Sequence, residues 1–532
     1  MPSVDALIVG AGFAGIYQLY KLRELGLSVK LVEKGADVGG TWYWSKYPGA
    51  NSDSLSEVYR YSFDKELLVT YPWPNHYVSQ KEIQDYLKHV VKRHDLRKHM
   101  QFGTELESAS FDSATSTWTA RFSSGETVET RYLLTALGTW SKVNYPDIPG
   151  LETFAGEKYH TGNWPDKYDF KNKRVGVIGS GSTGVQITIA LEDQVKELVS
   201  FQRTPQYVVP NGDKPVTAEF RDKINKNYDQ IWDGVFNSYA AHNVKESTIP
   251  AMSVSAEERE RVFEDLWQQG NGFRFMFSFS DLIVSEEANE EACKFIRKKV
   301  AQIVHDPVKA RKLSPRGYYA RRPITAPGYY ETFNKEHVDV VDLREDPIVE
   351  ITEKGIRTSD RLHELDVIVF ATGFEVADGN YLNLTISGPR QSLKEHWADV
   401  TTSYLGVSEA GFPNWFLVVG PQSPFNNFPP TIETQVNFIT GLIAKAEAKR
   451  REDGSDKPVL IEATQQAEDE YMDLCRDIPS KNLFRKGKSY IFGENIAGKK
   501  PQILFWVGGL ANYRKVLQDA VDNGYRGFSF AY

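Results

Sequence analysis

Two stretches of the chain combine a short apolar run, a cluster of glycines and then apolar residues at helical spacing. In the first, residues 7–9 lead into Gly10, Gly12 and Gly15, and leucines recur at helical spacing as far as residue 25. In the second, residues 174–178 lead into a similar cluster and a helix predicted from residue 185. This order predicts a dinucleotide-binding unit, in which glycines let the backbone approach a pyrophosphate that the helix N-terminus stabilises. The second cluster comprises Gly179, Gly181, Ser182, Thr183 and Gly184.

The two units end in opposite charges. The strand predicted at residues 28–32 runs into Glu33, whose carboxylate would accept hydrogen bonds from ribose hydroxyls. The strand predicted at 197–201 is followed by Arg203 and Thr204, a cation and a hydroxyl that suit a 2′-phosphate. The pattern therefore favours FAD at the first unit and NADP(H) at the second. The simpler alternatives are a tight turn in an unrelated α/β domain and a solvated surface arginine.

Inside the second unit, the sequence pattern changes from alternating strands and helices to helices alone. From about residue 214 to 312, aromatic and aliphatic residues recur at helical spacing, and we expect these stripes to form core rather than cofactor contacts. A strand predicted at 366–370 then returns to the second unit. The predicted fold is α/β, with two Rossmann-like dinucleotide-binding domains for FAD and NADP and an all-helical insertion. We assign 1–142 and 379–532 to the FAD domain, 143–213 and 313–378 to the linker and NADP domain, and 214–312 to the helical domain.

Composition narrows the function. The 532 residues include 63 basic and 71 acidic ones, and this net charge of −8 argues against chain-wide attraction to nucleic acid. Only Cys293 and Cys475 are present, so the chain has neither a disulfide framework nor a CxxC motif, and we predict neither dithiol chemistry nor a metal site. The N-terminal apolar run lacks a basic region, and no run approaches the roughly 18 residues of a membrane span. We expect a cytosolic protein without nucleic-acid or membrane partners.

Longer motifs lie outside the glycine clusters. Residues 154–165 match every fixed position of the pattern FxGxxxHxxxWP, and those positions are Phe154, Gly156, His160, Trp164 and Pro165. A second pattern runs from Gly40, Thr41 and Trp42 to Asp53, and a third consists of Ala371, Thr372 and Gly373. With these motifs the chain resembles the type I Baeyer-Villiger monooxygenases over its whole length, and it is most similar to the cyclohexanone monooxygenase branch.

The resemblance implies an activity. NADPH would reduce FAD, reduced flavin would add dioxygen, and the peroxide anion would insert one oxygen atom next to a ketone carbonyl through a Criegee intermediate, giving an ester or lactone. Only the anion is nucleophilic enough, so the reaction needs a permanent cation, and in the similar family the matching residue is Arg322. Asp53 would hold it through charge-assisted hydrogen bonds. Arg321 occupies the position of a lysine that contacts the NADP phosphate in that family.

The resemblance also implies other site residues. The stretch from Gly40 to Trp42, with Asp53, would face the flavin, and the 371–373 segment would belong to the cofactor sites. Phe425, Asn426 and Phe428 would form the substrate pocket, where Phe428 replaces a common leucine. Tyr490 replaces a tryptophan at a position that contacts the cofactor. Which ketone fits is open.

The signature around His160 would lie on a linker between the two nucleotide domains, outside the catalytic centre. A monomer is the family default.

Three other functions share parts of this pattern. A flavin monooxygenase that oxidises amines or sulfides would use a protonated hydroperoxide, and Arg322 and the ending Trp164-Pro165 argue against it. A non-catalytic redox sensor would need neither Asp53 nor Arg322. An NADPH oxidase that releases hydrogen peroxide is distinguished only by experiment.

Overall fold

The computed structural model describes residues 2–487 and 489–532. Its strands are β1 (Ser3–Val9), β2 (Val29–Val32), β3 (Met100–Gln101), β4 (Leu106–Asp112), β5 (Thr117–Phe122), β6 (Thr127–Thr135), β7 (Glu157–His160), β8 (Arg174–Ile178), β9 (Glu197–Gln202), β10 (Val208–Val209), β11 (Ile324–Thr325), β12 (Val338–Asp342), β13 (Ile348–Thr352), β14 (Gly355–Thr358), β15 (Leu362–Glu364), β16 (Val367–Phe370), β17 (Thr385–Ser387), β18 (Trp415–Leu417), β19 (Leu460–Ala463) and β20 (Phe528–Ala531).

The helices are α1 (Phe13–Glu24), α2 (Thr41–Trp44), α3 (Lys65–Thr70), α4 (Gln80–Arg93), α5 (Ser182–Leu191), α6 (Ala218–Lys226), α7 (Tyr228–Phe236), α8 (Ala256–Gln269), α9 (Gly272–Met276), α10 (Glu286–Ile303), α11 (Pro307–Leu313), α12 (Tyr329–Thr332), α13 (Leu393–His396), α14 (Phe428–Glu452), α15 (Gln465–Ser480) and α16 (Leu510–Asp522). In the described part of the chain, no helix is both long enough and apolar enough to cross a membrane.

The first glycine cluster belongs to an eight-stranded sheet. Its order is β17-β4-β5-β6-β1-β2-β3, with β18 also paired to β6. Strand β1 pairs in parallel with β2 and β6, and separate apolar clusters bury its two faces, one with Ala6 and Ile8 and the other with Leu7 and Val9. That burial explains the continuous apolar run at residues 6–8, all of which are inaccessible to solvent. Helices α1, α4 and α14 cover one face of this sheet with a shared apolar cluster.

The second glycine cluster belongs to a five-stranded sheet with the order β12-β9-β8-β16-β7, in which all the pairs are parallel. Helix α5 packs on one face, and the antiparallel strands β13 and β14 contribute to the apolar cluster on the other. The prediction of an α/β fold with two dinucleotide-binding units is confirmed. Helix α5 begins at Ser182, earlier than predicted, because Gly181 is already its N-cap.

The helical block packs on both sheets. Helices α6 and α7 place Ile224 and Trp232 in the cluster built on the first sheet. Helices α8, α9 and α10 place Phe263, Phe275 and Phe295 in the cluster built on the second sheet. The predicted limits of the helical domain, 214 and 312, stay a prediction, since these helices share their cores with the two sheets.

Candidate active site

The two glycine turns have the same backbone geometry. Gly10 has a φ of +108° and Gly179 a φ of +113°, a region that glycine adopts at little cost. A Cβ atom on Gly10 would lie 2.4 Å from the Ala136 carbonyl oxygen, and one on Gly179 would lie 2.3 Å from that of Ala371. Each turn therefore closes against the residue that follows a neighbouring parallel strand, and leaves no room for a side chain.

The later glycines of each turn divide into two kinds. A Cβ on Gly15 would lie 1.8 Å from the Gly10 oxygen, and one on Gly184 would lie 2.0 Å from the Gly179 oxygen, so both are required for packing the helix on the turn. Neither lines the cavity described below. Gly12 and its counterpart at 181 do line it, and a Cβ at 181 would point into open space.

One cavity of about 1510 Å³ connects the two turns. It exceeds the roughly 300–1,000 Å³ typical of a single small-molecule site, and its size suits two dinucleotides. Most of the residues predicted to bind cofactor or substrate line it. They are Gly10, Gly12, Glu33, Gly40, Thr41, Trp42, Asp53, Gly179, Gly181, Ser182, Thr183, Arg203, Thr204, Arg321, Arg322, Ala371, Thr372, Gly373, Phe428 and Tyr490.

Six other residues named from the sequence lie behind the cavity wall. They are Phe425, Asn426, Phe154, Gly156, His160 and Trp164.

Glu33 lies at the end of β2 and is only 6% exposed. One of its carboxylate oxygens accepts a hydrogen bond of 2.8 Å from the Ala11 amide, and the other accepts one of 2.7 Å from the Gly35 amide. These bonds fix the carboxylate against the first glycine turn. Each oxygen keeps a second lone pair, which a ribose hydroxyl can use.

Helix α2 follows directly on a close contact with the first turn. A Cβ on Gly40, whose φ is +55°, would lie 2.9 Å from the Gly12 Cα atom, so the two backbones touch. Trp42 then donates a hydrogen bond of 3.1 Å from its indole nitrogen to the Tyr59 hydroxyl. This stretch forms the cavity wall beside the first turn.

Arg203 and Arg321 supply the positive charge beside the second turn. Burial lowers the pKa of Arg321, and the nearby charge of Arg203 lowers it further. Within residues 2–487 and 489–532, no carboxylate oxygen lies within 4 Å of either guanidinium, whereas Arg321 donates a hydrogen bond of 2.7 Å to the Gly487 carbonyl. Two cations without a direct ion-pair partner at a cavity wall have the charge that suits a phosphate group.

Arg322 and Asp53 form a bidentate ion pair, although 269 positions separate them. The Arg322 Nε and Nη2 atoms donate hydrogen bonds of 2.8 and 2.7 Å to the two oxygens of Asp53. Burial alone would raise the pKa of Asp53, but the charge and hydrogen bonds of Arg322 outweigh it and hold that pKa below its ordinary value. Likewise, Asp53 overcomes the effect of burial and raises the pKa of Arg322. Both groups are therefore ionised at any working pH.

Aromatic rings surround this ion pair. The Arg322 guanidinium carbon lies 5.1 Å from the ring centre of Phe273 and 5.6 Å from that of Phe425. The ring of Phe425 also lies 6.0 Å from Tyr490 and 5.2 Å from Phe505. Phe425 thus supports the arginine from behind instead of lining the cavity.

The other residues expected in the substrate pocket have different positions. Phe428 lines the cavity and packs edge-on against Trp140, with ring centres 4.9 Å apart. Asn426 is buried, and its side-chain oxygen accepts a hydrogen bond from Thr431 in the first turn of α14. It therefore holds the start of that helix. Burial raises the pKa of Tyr490 to about 12, which keeps its hydroxyl neutral.

His242 is a neighbour of the ion pair that the sequence reasoning missed. Its ring stacks on Phe273 with centres 3.6 Å apart, and its Nδ1 atom lies 3.1 Å from the Ser54 hydroxyl, next to Asp53. Burial and then the charge of Arg322 lower its pKa to about 3, so the imidazole is neutral. A lone histidine in a loop between helices carries no motif, and the sequence offered no signal for it.

The FxGxxxHxxxWP segment connects the two sheets. Strand β7 ends at His160, whose Nδ1 accepts a hydrogen bond of 3.0 Å from the Gly162 amide and whose Nε2 lies 3.4 Å from the Thr372 hydroxyl. Burial lowers the pKa of His160 to about 4. The Trp164 amide donates to the Trp44 carbonyl at the end of α2, at 3.4 Å.

The remaining signature positions pack on the second sheet. A Cβ on Gly156 would lie 2.4 Å from the Asp366 carbonyl oxygen, and Phe154 belongs to the apolar cluster under that sheet. The segment is therefore structural in its contacts.

Both turns expose backbone to one cavity, and a fixed guanidinium lies between them. The two cysteines are buried and unpaired, so they provide no dithiol. Residues present at the first turn suit FAD, and those at the second suit NADP(H). This combination is typical of a flavin- and NADP-dependent oxidoreductase.

Comparison with known proteins agrees with this class. Residues 5–214 match the flavin-binding monooxygenase-like (FMO-like) family. The chain is 49% identical over 98% of its length to 96% of a phenazine N-monooxygenase from Lysobacter antibioticus. It is 45% identical to a cyclohexanone 1,2-monooxygenase from Acinetobacter sp, again over 98% of this chain and 96% of the relative. The fold matches a crystal structure of cyclohexanone monooxygenase from Rhodococcus sp. Phi1 bound to NADP+, with a TM-score of 0.97, 50% identity and coverage of 100% and 99% of the two chains.

The chain belongs to the Baeyer-Villiger monooxygenase family, in the branch of the cyclohexanone monooxygenases. The resemblance inferred from its motifs is confirmed. It is an FAD- and NADP(H)-dependent monooxygenase.

Proposed function

We propose that this enzyme inserts one atom of dioxygen next to the carbonyl of a ketone, giving an ester or lactone. The observation that carries the proposal is the bidentate pair of Arg322 and Asp53 in the cavity that joins the two glycine turns. The cyclohexanone 1,2-monooxygenase and the Baeyer-Villiger monooxygenase among the relatives are each 45% identical to this chain, which supports a ketone substrate.

We assign the cofactors to the two turns. FAD would be held by the first turn, Glu33 and the wall from Gly40 to Trp42. NADPH would be held by the second turn, Arg203 and Arg321. When bound, these cofactors supply the reducing equivalents and the activated oxygen.

Arg322 would stabilise the negative charge that develops as oxygen is transferred to the carbonyl. Its pair with Asp53 uses the Nε and Nη2 atoms, which leaves Nη1 to donate toward the reacting oxygen. Asp53 fixes the plane of the guanidinium, so little reorganisation is needed during the reaction. Removing one such preorganised donor typically lowers kcat by about 100- to 1000-fold.

N-oxygenation of a flat heteroaromatic amine is the competing reaction, since the phenazine N-monooxygenase is 49% identical to this chain. That reaction needs an electrophilic oxygen and gains nothing from a cation that stabilises an attacking anion. The ion pair therefore favours the ketone.

The experiment is an aerobic incubation of the FAD-loaded enzyme with NADPH and single substrates: cyclic, linear and aryl ketones, and a phenazine. Substrate-dependent NADPH loss, peroxide and product are measured together. Ester or lactone in proportion to NADPH consumed is the expected result. Oxygenation of the phenazine alone would move the assignment to N-oxygenation, and peroxide equal to all NADPH consumed would overturn both.

We also propose a monomer, as the family resemblance implies, that works in the cytosol, where two buried, unpaired cysteines fit a reducing environment. Light scattering after size-exclusion chromatography would test the first part, with 60.3 kDa as the expected mass before cofactor. Twice that mass would refute it.

A further inference from the structure

Three side chains from distant parts of the chain meet at a buried point away from the cofactor cavity. His396 ends α13, Glu409 lies in the loop before β18, and Glu468 lies in the first turn of α15. Their side chains are 8%, 0% and 1% exposed, respectively. None of the three lines the cavity.

The distances in this cluster match those between ligands around one metal ion. His396 Nε2 lies 3.4 Å from a Glu409 oxygen and 3.2 Å from a Glu468 oxygen. The Thr402 hydroxyl lies 3.3 Å from the same nitrogen and 3.5 Å from the same Glu409 oxygen. Four ligands at about 2.0–2.1 Å from a tetrahedral zinc ion are about 3.3–3.4 Å apart. Direct charge-assisted hydrogen bonds are shorter, about 2.7–2.9 Å, and a single N–H cannot point at two carboxylates.

The negative charges of the two buried carboxylates also favour binding of a cation. The ligand atoms of His396, Glu409 and Glu468 all lie within 4.8 Å of one another, so two buried carboxylates are adjacent. Across the described residues, neither carboxylate has a lysine or arginine nitrogen within 4 Å. The Oε1 atom of Glu409 is buried and has no hydrogen-bond partner there. A protonated His396 would neutralise only one of the two carboxylates, whereas one divalent cation would neutralise both, and a buried carboxylate left uncompensated is costly.

Outer contacts orient all three side chains, and at Glu409 the Trp397 indole nitrogen donates a hydrogen bond of 3.4 Å to Oε2. The side-chain nitrogen of Gln391 lies 3.0 Å from His396 Nδ1. With the amide oxygen turned to the ring, it would accept the Nδ1 proton and leave the Nε2 lone pair for a metal. The second oxygen of Glu468 accepts a hydrogen bond of 2.7 Å from the Ala410 amide. Partners of this kind are typical around metal ligands.

We propose that His396, Glu409 and Glu468 form a structural binding site for a divalent metal ion of the zinc class, with the Thr402 hydroxyl or a water as fourth ligand. The ion ties α13, the loop before β18 and α15 together. It takes no part in oxygenation, so this site does not depend on the proposed substrate.

The test uses the FAD-loaded enzyme after metal removal with EDTA and dialysis. Added Co²⁺ reports tetrahedral coordination through visible absorption bands, measured as a difference from the flavin spectrum, and added Zn²⁺ is followed by Tm. One Co²⁺ per chain and a rise in Tm of at least about 2 °C with Zn²⁺ are expected. The variant Glu409→Gln keeps the shape of the side chain and removes its charge, and we expect it to lose both signals.

Glu462→Gln is the matched control, because Glu462 pairs with Arg390 and accepts from the Gly411 amide outside the cluster. It should bind Co²⁺ as the wild type does. The proposal is overturned if the wild type binds no stoichiometric Co²⁺ and gains no stability from Zn²⁺, or if Glu409→Gln responds equally. The number of Co²⁺ ions bound per wild-type chain tests the proposal by itself. The test therefore remains decisive even if Glu409→Gln folds poorly.

Discussion

The two glycine turns are alike in backbone and opposite in surroundings. In both, the first glycine closes against a carbonyl after a parallel strand and the last packs on the first. Glu33 beside the first turn is buried, with both carboxylate oxygens held by backbone amides, whereas Arg203 beside the second is exposed. We therefore expect each turn to bind a pyrophosphate, and the residue after the second strand of each unit to select the ribose end of the cofactor.

The largest effects are expected from substitutions that place a Cβ atom inside each glycine turn. In Gly15→Ala the new Cβ would meet the Gly10 oxygen at 1.8 Å, and in Gly184→Ala it would meet the Gly179 oxygen at 2.0 Å. We expect Gly15→Ala to lose bound FAD almost completely. Gly184→Ala should keep FAD and raise the KM for NADPH by at least about 100-fold, equivalent to about 2.7 kcal/mol.

Flavin content by absorbance and NADPH titration measure the two effects. Gly234→Ala is the control, since a Cβ there meets nothing within 4 Å. Loss of FAD in both turn variants would show that the regions do not act separately.

Arg322 lies between the two regions, and its substitution is expected to have the next largest effect, on ester formation. Arg322→Ala should leave NADPH-driven flavin reduction within a few-fold of the wild type, because hydride transfer does not need the cation. Ester formation should fall by about 100- to 1000-fold. Anaerobic stopped-flow reduction and aerobic product analysis give the two rates. Arg316→Ala, at a half-exposed arginine near Glu345, is the control, and normal ester yield from Arg322→Ala would refute the assigned role.

Substitution of Arg203 tests whether the second turn distinguishes NADPH from NADH. Loss of a charged hydrogen bond to phosphate costs about 1.5–3 kcal/mol, so Arg203→Ala should raise the KM for NADPH by about 10- to 150-fold. The KM for NADH, which lacks the 2′-phosphate, should change little. Steady-state kinetics with both nucleotides give the comparison, with the surface variant Arg361→Ala as control. An equal rise for NADH would mean that Arg203 acts on the turn itself.

The smallest expected effect concerns the buried histidine of the connecting segment. The pKa of His160 is about 4 in the folded protein, below the ordinary value of 6.5, so between these values the unfolded chain binds more protons. Stability should therefore fall as pH drops from about 6.5 toward 4, by up to about 1.4 kcal/mol per pH unit. His242, with a pKa of about 3, acts in the same direction.

Urea unfolding at pH 7.5 and 5.5 would measure this dependence. His160→Gln should flatten it, whereas substitution of the exposed His305 to Gln should not. A steeper pH dependence in His160→Gln would contradict the neutral, buried state.

Local patterns predicted the parts of this molecule that depend on near neighbours in sequence. The glycines at 10 and 179 have positive φ and touch backbone, requirements that show directly as residue type. Glu33 and Arg203 follow their strands at fixed spacing. The ion pair of Arg322 with Asp53 joins distant segments, and only the family resemblance pointed to it.

Other features had no local signal. Phe425 and Phe428 are three residues apart, yet one supports Arg322 and the other lines the cavity, because the chain enters α14 at Phe428. His242 reaches the ion pair through stacking and one hydrogen bond. The division of the helical block between two cores follows from tertiary packing, and helical periodicity does not encode it.

The pair of Asp53 and Arg322 also links the orientation of the guanidinium to the arrangement of the two halves of the molecule. Asp53 follows the first glycine unit in the chain, and Arg322 precedes β11, whose Ile324 belongs to the apolar cluster of the second sheet. A shift of one half of the molecule against the other by little more than an ångström would separate the guanidinium from its carboxylate. In the role that we propose for Arg322, the cation keeps its working orientation only while the two halves hold this arrangement, so reactivity would depend on the conformation of the whole chain.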